Sequence, residues 1–234
     1  MRARSRVVSF LVAAVLLVQA GGCAGGRTQS GVIARTDLDG SWKPRKLGLL
    51  YPQLAPDSMP DREAGSGARP FMGGEINAVV HVALRTRLEA LAKPELRDCS
   101  APGPARERMA LLTTVILREY WLNGTLPARP VNELGRVSGC DVVLLVSVIK
   151  FGPSTTPLTV RNLGGEIRPA APPPGQGGGR WLNCGLKLAV VKVASASPVW
   201  EAAYLESVPA DGTTQEAVAA SCADKLLSEF PFKK

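Results

Sequence analysis

The stretch DVVLLVSVIKF, residues 141–151, decides the fold. Apart from its opening acid, one serine and one lysine it is wholly apolar and rich in β-branched residues. A strand with one wet face alternates polar and apolar, and this one does not. It reads as a central strand buried on both faces. Working outward, WLNCGLKLAVVKVA (181–194) is a second strand, SASP (195–198) a turn and VWEAAYLESV (199–208) the returning strand of a hairpin. Upstream, RKLGLLYPQ (45–53) is a strand ended by Pro52.

Three helices supply the cover. Ile76, Val79, Val80, Ala83, Leu84, Leu88 and Leu91 recur at helical spacing, with Asn77, His81, Arg85 and Glu89 stepping by four along the other side. That places His81 on a solvated face. A second helix runs from Ala105 to about Trp121 with Met109, Leu112, Val115, Ile116 and Tyr120 inward. A short helical turn after Pro130 stops at Gly139. Thr213 and Glu216 form a capping box for a last helix, Thr214 to about Phe230. The expected fold is a single α/β domain over 45–232, with a mostly antiparallel sheet of about four strands packed by helices. A Pro/Gly-rich loop occupies 152–180. Within it, PLTVRNLGGEIRPA (157–170) is the one hairpin candidate, with arms around Gly164 and Gly165 too short to span a bilayer.

The N-terminus sets the compartment. MRARSR is basic, Val7 to Val18 is apolar, and Ala20, Gly21 and Gly22 run into Cys23. This is the order of a secretory signal peptide. As helix the apolar run is about 18 Å long, against a bilayer core of about 30 Å. The small residues ending in cysteine resemble a bacterial lipobox, although Ala20 stands where leucine is usual. Residues 1–22 are therefore expected to leave as a lipoprotein signal peptide, with Cys23 lipidated by palmitate-type acyl chains. Residues 23–44 are expected to form a flexible tether. Each buried CH₂ contributes about 0.8 kcal/mol, so two or more chains hold the protein durably to a membrane. Ala24, where an aspartate would signal retention at the inner membrane, points to the periplasmic face of the outer membrane.

Composition excludes more than it selects. The formal charge is +8 and falls to +5 when Arg2, Arg4 and Arg6 leave with the leader. Aromatics make up 5% and interleave with no basic stripe, so nucleic acid is not an expected partner. Cys99, Cys140, Cys184 and Cys222 are candidate disulfide cysteines in an oxidising compartment. Sequence does not choose among their three pairings, nor between bridged and buried free thiols. No two are close in sequence and His81 is the only histidine, so no metal site or cofactor is expected.

Catalytic motifs are scarce. Ser147 and Lys150 match S-x-x-K, but in a strand an odd separation points the two side chains to opposite faces. Asn123-Gly124-Thr125 reads as a turn. Asp57, Asp61 and Glu63 are acids of a loop, with nothing to place them in a cleft. A Ser-His-Asp site would have to be built on His81. No residue is assigned a catalytic role.

The strand entry Gly139-Cys140-Asp141 with Val143 and Leu144, and the hairpin ending Val199-Trp200, resemble the envelope lipoproteins related to the N-terminal domain of TolB. That group includes penicillin-binding protein activators, the curli secretion lipoprotein and polysaccharide-export lipoproteins. The resemblance covers about residues 45–232. It departs from the pattern where Ser195-Ala196-Ser197-Pro198 replaces the usual glycine turn, and in the long loop at 152–180. It implies a protein without catalytic residues that acts by contact, with Trp200 in the core. The expectation is a lipid-anchored accessory or regulator of an envelope assembly, with a cell-wall synthase or export complex as partner. Two alternatives stand beside it: a homo-oligomeric secretion or export channel subunit, and a periplasmic serine hydrolase using Ser147 or the loop carboxylates.

Overall fold

A computed structural model describes residues 15–16, 27–35, 42–55, 73–100, 103–172 and 179–233. Cys23 and most of the expected leader lie outside them, as do Asp57, Asp61 and Glu63. The elements in chain order are β1 (Val15–Leu16), β2 (Thr28–Arg35), β3 (Lys46–Leu49), β4 (Gln53–Leu54), α1 (Gly73–Leu91), β5 (Glu95–Asp98), α2 (Pro104–Asn123), α3 (Ala128–Ser138), β6 (Val142–Ser154), β7 (Leu158–Val160), β8 (Ile167–Pro169), β9 (Trp181–Lys192), β10 (Ser197–Pro209) and α4 (Gln215–Leu227).

One mixed sheet runs β1-β2-β10-β9-β6-β3-β5, with β4 beside β6. Its antiparallel centre is β6, β9 and β10, of 13, 12 and 13 residues. On the far side β3 pairs parallel with both β5 and β6, and β4 parallel with β6. The sheet is thus wider than the four strands expected, seven across with β4 beside β6, and mixed: its long ladders are antiparallel, as expected, and three short ones are parallel. The extra strands are short or polar. β5 is ELRD, and β2 lies in the segment expected to be tether. β2 is ordered because its length lies against β10, from Trp200↔Arg35 to Ser207↔Thr28. Val15 and Leu16 of the expected leader pair with Ile33 and Val32 on its outer edge.

The central strand is buried on both faces, as its composition requires. Val142, Leu144, Val146 and Val148 meet α1 and α4, where Leu84, Leu88, Val218 and Leu226 close a core with Trp200 and Phe230. Val143 and Leu145 face the other way, onto Ile116 of α2 and Leu134 of α3. Each such fully buried side chain contributes roughly 1.5–3 kcal/mol over an exposed one. Beyond this second layer the β7/β8 hairpin covers Ile149, Ala203 and Leu205. The 152–180 loop therefore carries ordered structure of its own, with the Leu158 N–H donating to Ser207 Oγ at 2.9 Å.

Local signals explain the ends. Gly139 closes α3 in the left-handed region (φ 66°), its N–H donating to the Gly135 carbonyl at 2.7 Å. Thr214, one residue later than the capping box suggested, caps α4 by accepting from Ala217 N–H at 3.2 Å. Val115, expected inward on α2, is 40% exposed and Leu111 57% exposed, while Thr113 and Leu117 are buried. Among the described residues no helix is long and apolar enough to cross a membrane.

Candidate functional site

Polar side chains gather where the parallel strands end, the edge at which open α/β sheets commonly place their sites. β5 delivers Asp98, and the turn after it delivers Cys99 and Ser100. The Ser100 N–H donates to Asp98 Oδ1 at 2.8 Å, fixing the turn. Helix α1 lowers His81 onto it. His81 Nε2 lies 3.0 Å from Ser100 Oγ and 3.2 Å from Asp98 Oδ1. Arg85, one turn on, reaches Asp98 Oδ2 at 3.1 Å and Glu89 at 2.8 Å. The Tyr51 ring lies 5.5 Å from the imidazole, with the Arg106 guanidinium 5.2 Å over that ring.

His81 is thus 6% exposed, not solvated as its place in the period-four stripe suggested. Helical spacing found the face but not what covers it, which is Tyr51 and the 98–100 turn. Burial raises the Asp98 pKa, but the hydrogen bonds from Ser100 and the neighbouring His81 outweigh that and hold it below the usual carboxylate value.

A serine, a histidine and an aspartate have come together, yet not as a relay. A hydrolytic relay needs serine on one ring nitrogen and aspartate on the other. Here both converge on Nε2, and Nδ1 is buried with no partner among the described residues. The imidazole joins α1 to the end of β5 and has no second nitrogen turned to an acid.

The second polar group lies on the α2/α3 face of the sheet. A β-bulge between Val148 and Lys150 places Lys150 opposite Gly185, two steps along β9 from the Ser147↔Lys187 pair. Directly opposed residues share a face, so Ser147, Lys150 and Lys187 all point the same way. This corrects the alternation argument: the extra residue of the bulge cancels the odd separation. Ser147 is 3% exposed. Beside it the Tyr120 hydroxyl bonds Glu201 Oε1, and Lys187 Nζ sits 5.1 Å over the Tyr120 ring. Burial, aided by Glu201, pushes the Tyr120 pKa up; burial lowers that of Lys187.

The motif residues have structural work. Asp141 Oδ2 accepts from the Arg45 and Lys46 N–H groups at 2.8 and 3.0 Å, which aligns the starts of β3 and β6. Trp200 is fully buried, edge-on to Phe230 at 5.9 Å. The four cysteines are buried free thiols arranged as two neighbouring pairs, Cys99 with Cys140 and Cys184 with Cys222. The Cys222 thiol donates to the Cys184 carbonyl at 3.2 Å, both residues being 0% exposed. Among the described residues no cluster of three metal-ligating side chains occurs. A cavity of about 260 Å³ lies between β2, β10 and the end of α4, lined by Gly31, Ile33, Tyr204, Lys225 and Glu229. The Tyr204 hydroxyl has no partner among the described residues.

No family model matches the chain, and no curated protein sequence matches it. Among solved structures it is similar to a PelC dodecamer from Paraburkholderia phytofirmans, at 15% identity and a TM-score of 0.42, over 85% of this chain and 96% of that one. A second crystal form of that dodecamer gives 15% and 0.41 over 85% and 95%. The lipoprotein GNA1162 from Neisseria meningitidis gives 13% and 0.37 over 79% and 94%.

Proposed function

We propose that the chain is an envelope lipoprotein, held at the periplasmic face of the outer membrane through acylated Cys23, that works without catalysis. It acts by contact, as accessory or regulator of an envelope assembly such as a cell-wall synthase or an export complex. The observation that carries the contact reading is on α2. Leu111 and Val115 stand one turn apart at 57% and 40% exposure, flanked by the exposed Arg108 and Arg118. Apolar side chains at that spacing with arginine beside them are suited to a partner surface. The convergence of Ser100 and Asp98 on one imidazole nitrogen, and the burial of Ser147, favour this over the serine hydrolase. A homo-oligomeric export subunit is the second reading, with the same α2 face turned toward another copy.

Membrane fractionation of the native chain and of Cys23→Ala, with mass analysis of the N-terminal peptide, tests the anchor. Acyl chains on Cys23 and release of the variant into the soluble fraction are expected. A native chain carrying Cys23 as a plain thiol refutes it.

A further inference from the structure

Gly48, in the middle of β3, faces the two sulfurs of one cysteine pair. A β-carbon there would lie 3.1 Å from Cys140 Sγ and 3.3 Å from Cys99 Sγ. Glycine therefore clears the space in which the two sulfurs meet, while each thiol donates to a carbonyl two residues back, Cys99 to Arg97 and Cys140 to Ser138, both at 3.6 Å. Their main chains are fixed by the sheet: the Cys99 N–H donates to the Leu49 carbonyl at 3.0 Å, and Asp141 N–H to that of Lys46 at 3.1 Å. Each cysteine is 6% exposed, unlike the sealed Cys184 and Cys222. Cys140 also borders a hollow of about 410 Å³ that it shares with Trp42, Asp141 and Lys192, which gives a reagent a way in.

We propose that Cys99 and Cys140 form a disulfide that closes over Gly48, ties the end of β5 to the start of β6, and so holds the Asp98–Ser100 turn against His81. The inference rests on the exported location proposed above, since only an oxidising compartment supplies the reaction. The oxidant is the disulfide of an oxidised protein dithiol. Cys140 is the attacking sulfur because it is the one that borders the hollow; its neighbour Cys99, then Ser138 and the Arg97 guanidinium, hold its pKa below the usual thiol value, while Cys99 is pushed up by its neighbour Cys140 and by burial. The Cys140 thiolate attacks one partner sulfur and expels the other as thiolate, leaving a mixed disulfide. Cys99, on losing its proton, then attacks Cys140 and expels the second partner thiolate. Two electrons pass to the partner, which leaves as a dithiol carrying the two protons given up by Cys99 and Cys140.

The test is a peptide map of the purified full-length chain in a glutathione redox buffer, quenched in acid, alkylated and digested with trypsin without reduction. The expected product joins peptides 98–106 and 137–150, two hydrogens lighter than their sum, and disappears with reductant. Closing the stretch from 99 to 140 should raise the Tm by roughly 8–16 °C over the reduced protein. Recovery of both cysteines as alkylated thiols under fully oxidising buffer would overturn the pair, as would linkage of either one to Cys184 or Cys222. The same map is made on protein taken from the native cell. A link formed in buffer with free thiols in the cell would sink the exported location and leave the pair standing.

Discussion

Helix α3 sits on the β9–β10 turn through a contact that only glycine permits, and Gly135→Ala measures it. A β-carbon at Gly135 would lie 2.0 Å from Val193 Cγ1, 2.9 Å from Cγ2 and 3.0 Å from Cβ. Both γ-methyls of Val193, at 2.0 and 2.9 Å, carry the clash, and its branch point at 3.0 Å is only tight, so rotation about that branch point gives little relief while loss of the methyls gives most of it. Either α3 lifts off the sheet or the turn gives way. Overpacking of this kind costs about 1–3 kcal/mol. Against it stands the helix preference of alanine over glycine, about 1 kcal/mol in a helix interior. The three simultaneous close contacts place the overpacking at the upper end, leaving about 2 kcal/mol of net destabilisation. For a domain of this size that is a fall in Tm of about 4–8 °C. Urea denaturation of the wild type, Gly135→Ala, Val193→Ala and the double variant forms a complete cycle. Removing the Val193 γ-methyls should restore most of what Gly135→Ala loses, with a coupling above about 1 kcal/mol. A Gly135→Ala protein as stable as wild type, or a cycle with additive losses, would show that α3 does not rest on Val193 as described.

Three further outcomes follow from other positions. Ala196 carries a left-handed φ of 47° in the β9–β10 turn, so Ala196→Gly should stabilise by about 0.5–1 kcal/mol in a denaturant titration, and a loss would contradict the turn geometry. Asp98 is held below its unfolded pKa of about 3.9, so its contribution is present above that value and lost as pH falls through the lower folded one; Asp98→Asn should flatten the acid limb of stability below about pH 4, and an unchanged limb would mean the carboxylate is unpartnered. Ser147→Ala should fold and retain function in the cell, and a β-lactam probe should leave Ser147 unlabelled; labelling would favour the hydrolase.

The parts of the fold that sequence exposes are those where burial speaks in composition. Residues 142–146 are apolar on both faces because helices lie on both sides, and no other placement accommodates them. β5 escaped because ELRD is an edge strand, charged where it meets solvent and ordered only by its pairing to β3. β2 escaped because TQSGVIAR opens on the polar Thr28-Gln29-Ser30 and has an apolar stretch of only three residues, Val32 to Ala34, and its strand character comes from β10. The site was less legible. His81, Asp98 and Ser100 are distant in sequence, and the spacing that located the polar side of α1 carries no information on what packs there. The common face of Ser147 and Lys150 depends on a bulge, a single extra residue that no alternation pattern marks. The nearness of Cys99 to Cys140 could have been suspected only by knowing that β3 lies between β5 and β6, with glycine at the crossing.

The central claim is action by contact at the envelope, and photo-crosslinking in the native cell tests it most directly. Photo-reactive residues are placed at Leu111 and Val115 on α2, and at Glu89 on α1 as a reference face. The account predicts adducts from the α2 positions to a cell-wall synthase or an export component, recovered with the membrane fraction and reduced in Cys23→Ala. Adducts only to another copy of the chain would transfer the weight to the oligomeric reading. No α2 adduct of any kind would contradict the account.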